Sequence, residues 1–142
     1  MTEEKYCYTV KYVKLQHWRA SQAIGLSIAV DASGNVYLGG RFAIANLTTP
    51  ALTKIGFQDA CAFRLDSAGT SVWSKNFGGS GAQAFGQSIA VDASGNVYLG
   101  GYFDNANLTT PALTRIGNTD GFIIKRLAAN AVVPIIFFLL ED

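Results

Sequence analysis

An all-β fold is predicted, built of four-stranded antiparallel meanders repeated along the chain. Three observations predict it. The segment SIAVDASGNVYLGG occurs twice, at residues 27–40 and 88–101. Between these copies and after them, short β-rich runs are bounded by turns containing Asp, Asn and Gly. The composition is 49% hydrophobic and only 15% charged, with 15 Gly among 142 residues. That is too apolar and too weakly charged for a disordered chain.

The repeat extends well beyond the identical stretch. At the same 61-residue offset, NLTTPALT recurs at 46–53 and 107–114, and Asp59 recurs as Asp120. From residue 27 to 59, 27 of 33 positions are identical to their partners, which marks a duplication. Within the first unit, residues 27–31 read as a strand. Asp31 and Asn35 bond their own backbone and Gly34 supplies positive φ, so 31–35 reads as a tight turn. Residues 36–42 form the second strand, with Gly39-Gly40 as a bulge or a point of close approach. A long polar connection leads to the third strand, 60–65. Asp66-Ser67-Ala68-Gly69 turns the chain into the fourth, 71–77. The second unit repeats this at 88–92, 97–103 and 121–126. Its fourth strand falls on the apolar tail, with Pro134 tolerable because the fourth strand is an edge.

Four short strands per unit fit a propeller blade. The division is an irregular N-terminal segment over 1–22, a first blade over 23–83 and a second over 84–142. Residues 8–15 alternate enough to form an outer strand. One chain therefore holds an incomplete propeller of two blades plus an N-terminal strand.

These motifs resemble the SBBP repeat family, β-propeller repeats of bacterial surface and secreted proteins. The resemblance rests on Gly78-Gly79, on the 88–101 segment, on Asp120-Gly121-Phe122 with Lys125, and on Asp66 with Trp73. It implies a scaffold role at the cell surface or outside the cell, with no shared catalytic residue. The tail departs from the pattern: Leu127 stands where Asp66 was and Pro134 where Trp73 was, and Cys61 replaces the aromatic seen at Phe122.

A closed propeller needs about 4 to 8 blades. Two blades are part of a larger product, or complete a ring by assembly, three chains giving six blades or four giving eight, or persist as an open, aggregation-prone pair. The expected partners are therefore a protein, or further copies of the chain meeting through blade edges.

Composition excludes several functions. The formal net charge of +1 gives no basic footprint for nucleic acid. The longest apolar run, at 131–140, is too short for a membrane-spanning helix and contains a proline. The N-terminus has Glu3 and Glu4 and no continuous apolar stretch, so no secretory signal is expected there. Cys7 and Cys61 lack metal-ligand spacing and read as free thiols. His17 has no repeat partner and no nucleophile in a defensible order.

No cofactor, metal or catalytic group is expected, and the chain is not expected to be an enzyme. Asp31 and Asp92 each supply one carboxylate, which suits a turn better than a calcium loop. Asp59 and Asp120 precede the third strands. They either cap backbone amides, the preferred reading, or form a ligand contact repeated in each blade. With Tyr37 and Tyr98 they are the candidate ligand-binding residues. Trp73 and Tyr102 are further aromatics able to stack on sugar rings, but for all four rings packing within or between blades is the preferred reading. Asn46 and Asn107 head N-x-T sequons and read as loop polar residues. Gly78-Gly79-Ser80-Gly81 reads as the link between blades. The leading function is a non-catalytic scaffold or protein-interaction module. The alternative is carbohydrate binding by a ring of two-blade chains.

Overall fold

The structure, a computed structural model, describes residues 23–43, 47–48, 51–128 and 136–140. The strand expected over 8–15, together with Cys7, His17, Trp18, Asn46 and Pro134, lies outside them.

The described residues are all strand, turn and loop, with no helix. They form β1 (Ala23–Val30), β2 (Val36–Ala43), β3 (Leu47–Thr48), β4 (Ala51–Leu52), β5 (Gln58–Leu65) and β6 (Ser71–Phe77) in the first unit. The second unit holds β7 (Gln83–Val91), β8 (Val97–Asp104), β9 (Leu108–Thr109), β10 (Ala112–Leu113), β11 (Thr119–Arg126) and β12 (Ile136–Leu140). Each unit is an antiparallel meander, β1-β2-β5-β6 and β7-β8-β11-β12. A single parallel bridge, Gln58 to Gln83, joins them. The described sheet does not close on itself. The result is the all-β, incomplete propeller that the repeat predicts.

The first strands begin earlier than alternation suggests. In β1 the pairing shifts between Gly25 and Ser27, and in β7 between Gly86 and Ser88. Leu26 and Gln87 are the extra residues, so the bulge lies opposite the glycine pairs and not within them. Alternation breaks there, which hides residues 23–26 and 83–87 from a period-two reading. The glycines are the points of close approach. A Cβ on Gly40 would run into the carbonyl of Ile24, and one on Gly101 into that of Phe85.

The polar connection is more than a loop. NLTTPALT folds back as β3-β4 and again as β9-β10. Its apolar residues Leu52, Leu108 and Leu113 are buried. The fourth strand of the second unit is the apolar tail, as the offset requires. Its register has slipped: Gly121 faces Leu140, whereas its counterpart Ala60 faces Phe77, two residues earlier in repeat numbering.

The blades stack face to face, with β7 lying across β1, β2 and β5. The main core sits between them and contains Tyr37, Ala60, Ala62, Ile89, Leu99, Phe103, Phe122 and Ile124. A smaller cluster of Phe42, Leu52, Cys61 and Phe63, with Leu38 packed against it, belongs to the first blade. Cys61 is a free thiol there, pushed up to about 12 by burial and by the charge of Asp59. The link over residues 78–82 is held by the second blade: Gly78 O accepts from Thr109 N at 2.9 Å and Thr110 N at 3.0 Å.

Candidate functional site: an arginine cleft between the blades

Two sets of repeated carboxylates organise the blades. Asp31 Oδ1 accepts from Ser33 N (2.9 Å) and Asn35 N (3.0 Å). Its Oδ2 accepts from Asn35 Nδ2 and Tyr37 OH, both at 2.9 Å. Asp92 repeats this with Ser94, Asn96 and Tyr98. A groove of about 430 Å³ runs between the two turns, and Asp31 and Asp92 are the charged residues lining it. Both carboxylates are already engaged by their own turns. Among the described residues no group of three or more His, Cys, Asp or Glu is placed to hold a metal.

The side-chain bond from Asn35 is the largest influence lowering the Asp31 pKa below 3.8, and Asn96 does the same for Asp92. A carboxylate with a depressed folded pKa stabilises above its unfolded value and loses that contribution as pH falls through the folded value. The turns are therefore expected to loosen in acid below pH 3.8. Urea midpoints against pH check this: an Asp31→Asn, Asp92→Asn chain should show a shallower loss there than the parent. Equal slopes would refute the assignment.

The second set is Asp59 and Asp120. Asp59 is 0% exposed. It accepts from Ile55 N (2.7 Å), Gly56 N (2.9 Å) and Asn76 Nδ2 (2.8 Å). Asp120, 8% exposed, accepts from Ile116 N and from Gly117 N (2.9 Å). Both carboxylates cap the turn before their strand. Tyr37 is buried and Tyr98 half-buried, each hydroxyl held by its turn Asp. The four candidate residues thus do not converge on one place, and of the four only Tyr37 lines a second cleft, between the blades. Asn107 Oδ1 accepts from Arg115 N at 2.8 Å within its loop.

That cleft, of about 310 Å³, opens between the blades at the end carrying the Asp31 and Asp92 turns. Tyr37, Arg64 and Trp73 come from the first blade, and Val97 and Arg126 from the second. The Arg126 guanidinium lies 4.5 Å from the Trp73 ring centre, and that of Arg64 lies 5.9 Å from Tyr37. The two rings are 6.5 Å apart and tilted by 52°. Cation–π contact fixes both cations against the aromatic wall. Burial, and secondly the charge of Arg64, lowers the pKa of Arg126. Burial, then the bond to Asp31, raises that of Tyr37, while Arg64 opposes the rise. Arg64 Nε is buried with no hydrogen-bond partner. Among the described residues neither guanidinium is ion-paired. Asp31 also lines the cleft, but its oxygens are engaged by its own turn, so two like charges, partly desolvated and without an ion pair among the described residues, favour an incoming anion.

The sequence did not single out Arg64 or Arg126. A signal was present, because the cleft uses positions where the repeats depart from each other. Arg126 has Leu65 as its counterpart, and Trp73 has Pro134. Lys125, the counterpart of Arg64, lies 5.3 Å from the Tyr98 ring centre and so keeps the repeated cation–aromatic pair.

Residues 72–108 match the family model of the SBBP beta-propeller repeat. The chain carries an SBBP repeat. The matched segment runs from β6 through the link to β9, so the SBBP repeat takes the last strand of one blade and the first strands of the next. The repeat therefore joins adjacent blades through covalent chain as well as through packing. No curated protein matches the chain.

Proposed function

We propose that the chain is a non-catalytic β-propeller module, an interaction scaffold of a bacterial surface or secreted protein, whose cleft receives an acidic segment of a protein partner. The unpaired Arg64 and Arg126 against the Tyr37–Trp73 wall carry this reading. Fork-shaped guanidinium groups match carboxylates in geometry as well as charge. The surface or secreted context comes from the SBBP resemblance. An acidic sugar is the second reading, favoured by Trp73, whose ring gives a pyranose a stacking surface.

Titration of the full chain with a poly-glutamate peptide and with a polyuronate, followed by calorimetry, tests both. The expected result is saturable binding of the peptide, weakened by salt. Arg64→Ala and Arg126→Ala should each weaken it by about tenfold or more, as loss of a charge-assisted bond implies. Binding of the polyuronate alone would favour the sugar reading. Binding of neither, or binding unchanged in both variants, would overturn the proposal.

A further inference from the structure

The duplication makes the contact between the blades legible a second time, at the two ends of the stack. The second blade presents Ile89, Val97 and Leu99 to the first, all buried. Their counterparts in the first blade are Ile28, Val36 and Leu38, which face away from the second blade. Ile89 is 6% exposed, but Ile28 is 65% exposed. Leu26 and Val30 on the same strand are also exposed. The first blade thus carries a copy of the covered face that is uncovered along β1, at Leu26, Ile28 and Val30, while Val36 and Leu38 are half-buried and Phe42, Cys61 and Phe63 pack into the first blade's own cluster.

The receiving face is duplicated too. Ile89 and Leu99 seat on Gly39, where a Cβ would come within 3.1 Å of Ile89 Cβ and 2.8 Å of Leu99 Cδ1. The counterpart, Gly100, is open: a Cβ there meets nothing nearer than Ser88 O at 4.0 Å. Ile89 N donates to Ser27 Oγ across the blades at 3.2 Å. Its counterpart acceptor, Ser88, is exposed. Arg41 lies 5.0 Å from the Phe85 ring centre at the same contact. The counterpart pair is Tyr102 and Ile24, apolar on both sides.

We propose that the Ile28 face of one chain docks on the Gly100 face of a second copy, reproducing the contact between its own two blades. The occupant is a second copy because Ile28, Val36, Leu38, Ser88 and Gly100 repeat residues of a contact the same chain already makes between its blades. The proposal stands independently of the cleft. Such a head-to-tail contact is heterologous, so it either closes into a ring or grows without limit. The rotation between blades sets closure, and a ring of three or four chains falls within the propeller range.

Light scattering after size exclusion, on the full chain over a concentration series, provides the test. The parent should form a discrete trimer or tetramer. Ile28→Glu disables one face and Gly100→Val the other, so each variant alone should be monomeric. Mixed in equal amounts they should form a dimer and nothing larger, because one intact face of each kind remains and together they make a single contact. Circular dichroism of each variant should match the parent and certify folding. A parent that stays monomeric at about 100 µM, well above the Kd of a specific contact, overturns the proposal. So does a mixture that gives no dimer. Binding of the acidic peptide by a monomeric parent would sustain the cleft while this inference failed.

Discussion

Asp59→Ala is expected to lower the unfolding free energy by about 4 kcal/mol, the order expected when three buried donors lose their shared acceptor. The substitution leaves Ile55 N, Gly56 N and Asn76 Nδ2 without their acceptor in a site closed to water. Gly78 offers no relief, since any side chain there would collide with the space Asp59 occupies. Asp59→Asn should also be costly, because an amide must turn a donor toward groups that are themselves donors. Asp120→Ala should cost less, about 2 kcal/mol, since it orphans two backbone donors at a slightly exposed site. Urea unfolding of the three variants measures the order. Asp120→Ala equal to or worse than Asp59→Ala would refute the account, which ties the difference to Asn76 and to burial.

Gly39→Val should cost about 3 kcal/mol, at the upper end of overpacking. Leu99 can swing a methyl aside, but Ile89 would have to move its Cβ, and with it the strand. Gly100→Val, the same change in the second copy of the motif, should lie within about 0.5 kcal/mol of the parent, since the half-buried Gly100 has open space where a Cβ would go. Valine also suits a strand better than glycine. Both are best measured in an Ile28→Glu background, where association between chains does not contribute. Similar losses at the two positions would mean that Gly39 matters for its backbone and not for the blade seated on it.

The architecture was legible because it is written twice. Identity at a fixed offset set the unit, and the Asp and Gly turns placed the hairpins to within a few residues. The bulges at Leu26 and Gln87 were not legible, because an extra residue shifts the alternation by which strands are recognised. The small hairpins built from NLTTPALT were hidden by their polar residues, although two leucines five apart hinted at an inward face. The roles of Asp59 and Asp120 were readable as caps, although the strands begin earlier than expected and place each aspartate second in its strand. The cleft was not, because it joins Arg64 and Trp73 to Arg126, in the other repeat, across an interface that neither repeat specifies alone.

The twin turns at Asp31 and Asp92 also bear on how the chain finds its pairing. Since 27–40 and 88–101 are identical, β1 could pair with β8 through the side chains it uses with β2, save that Ile24 would face Tyr102 in place of Arg41. Enthalpy does not separate these hairpins. Closing a loop of roughly 60 residues in place of one of roughly 5 costs about 2 kcal/mol more in chain entropy. The local turn, held by its aspartate, therefore decides which of two equivalent partners a strand meets first. Weakening that turn would populate exchanged hairpins, within one chain or between two, before it cost the native blade much stability.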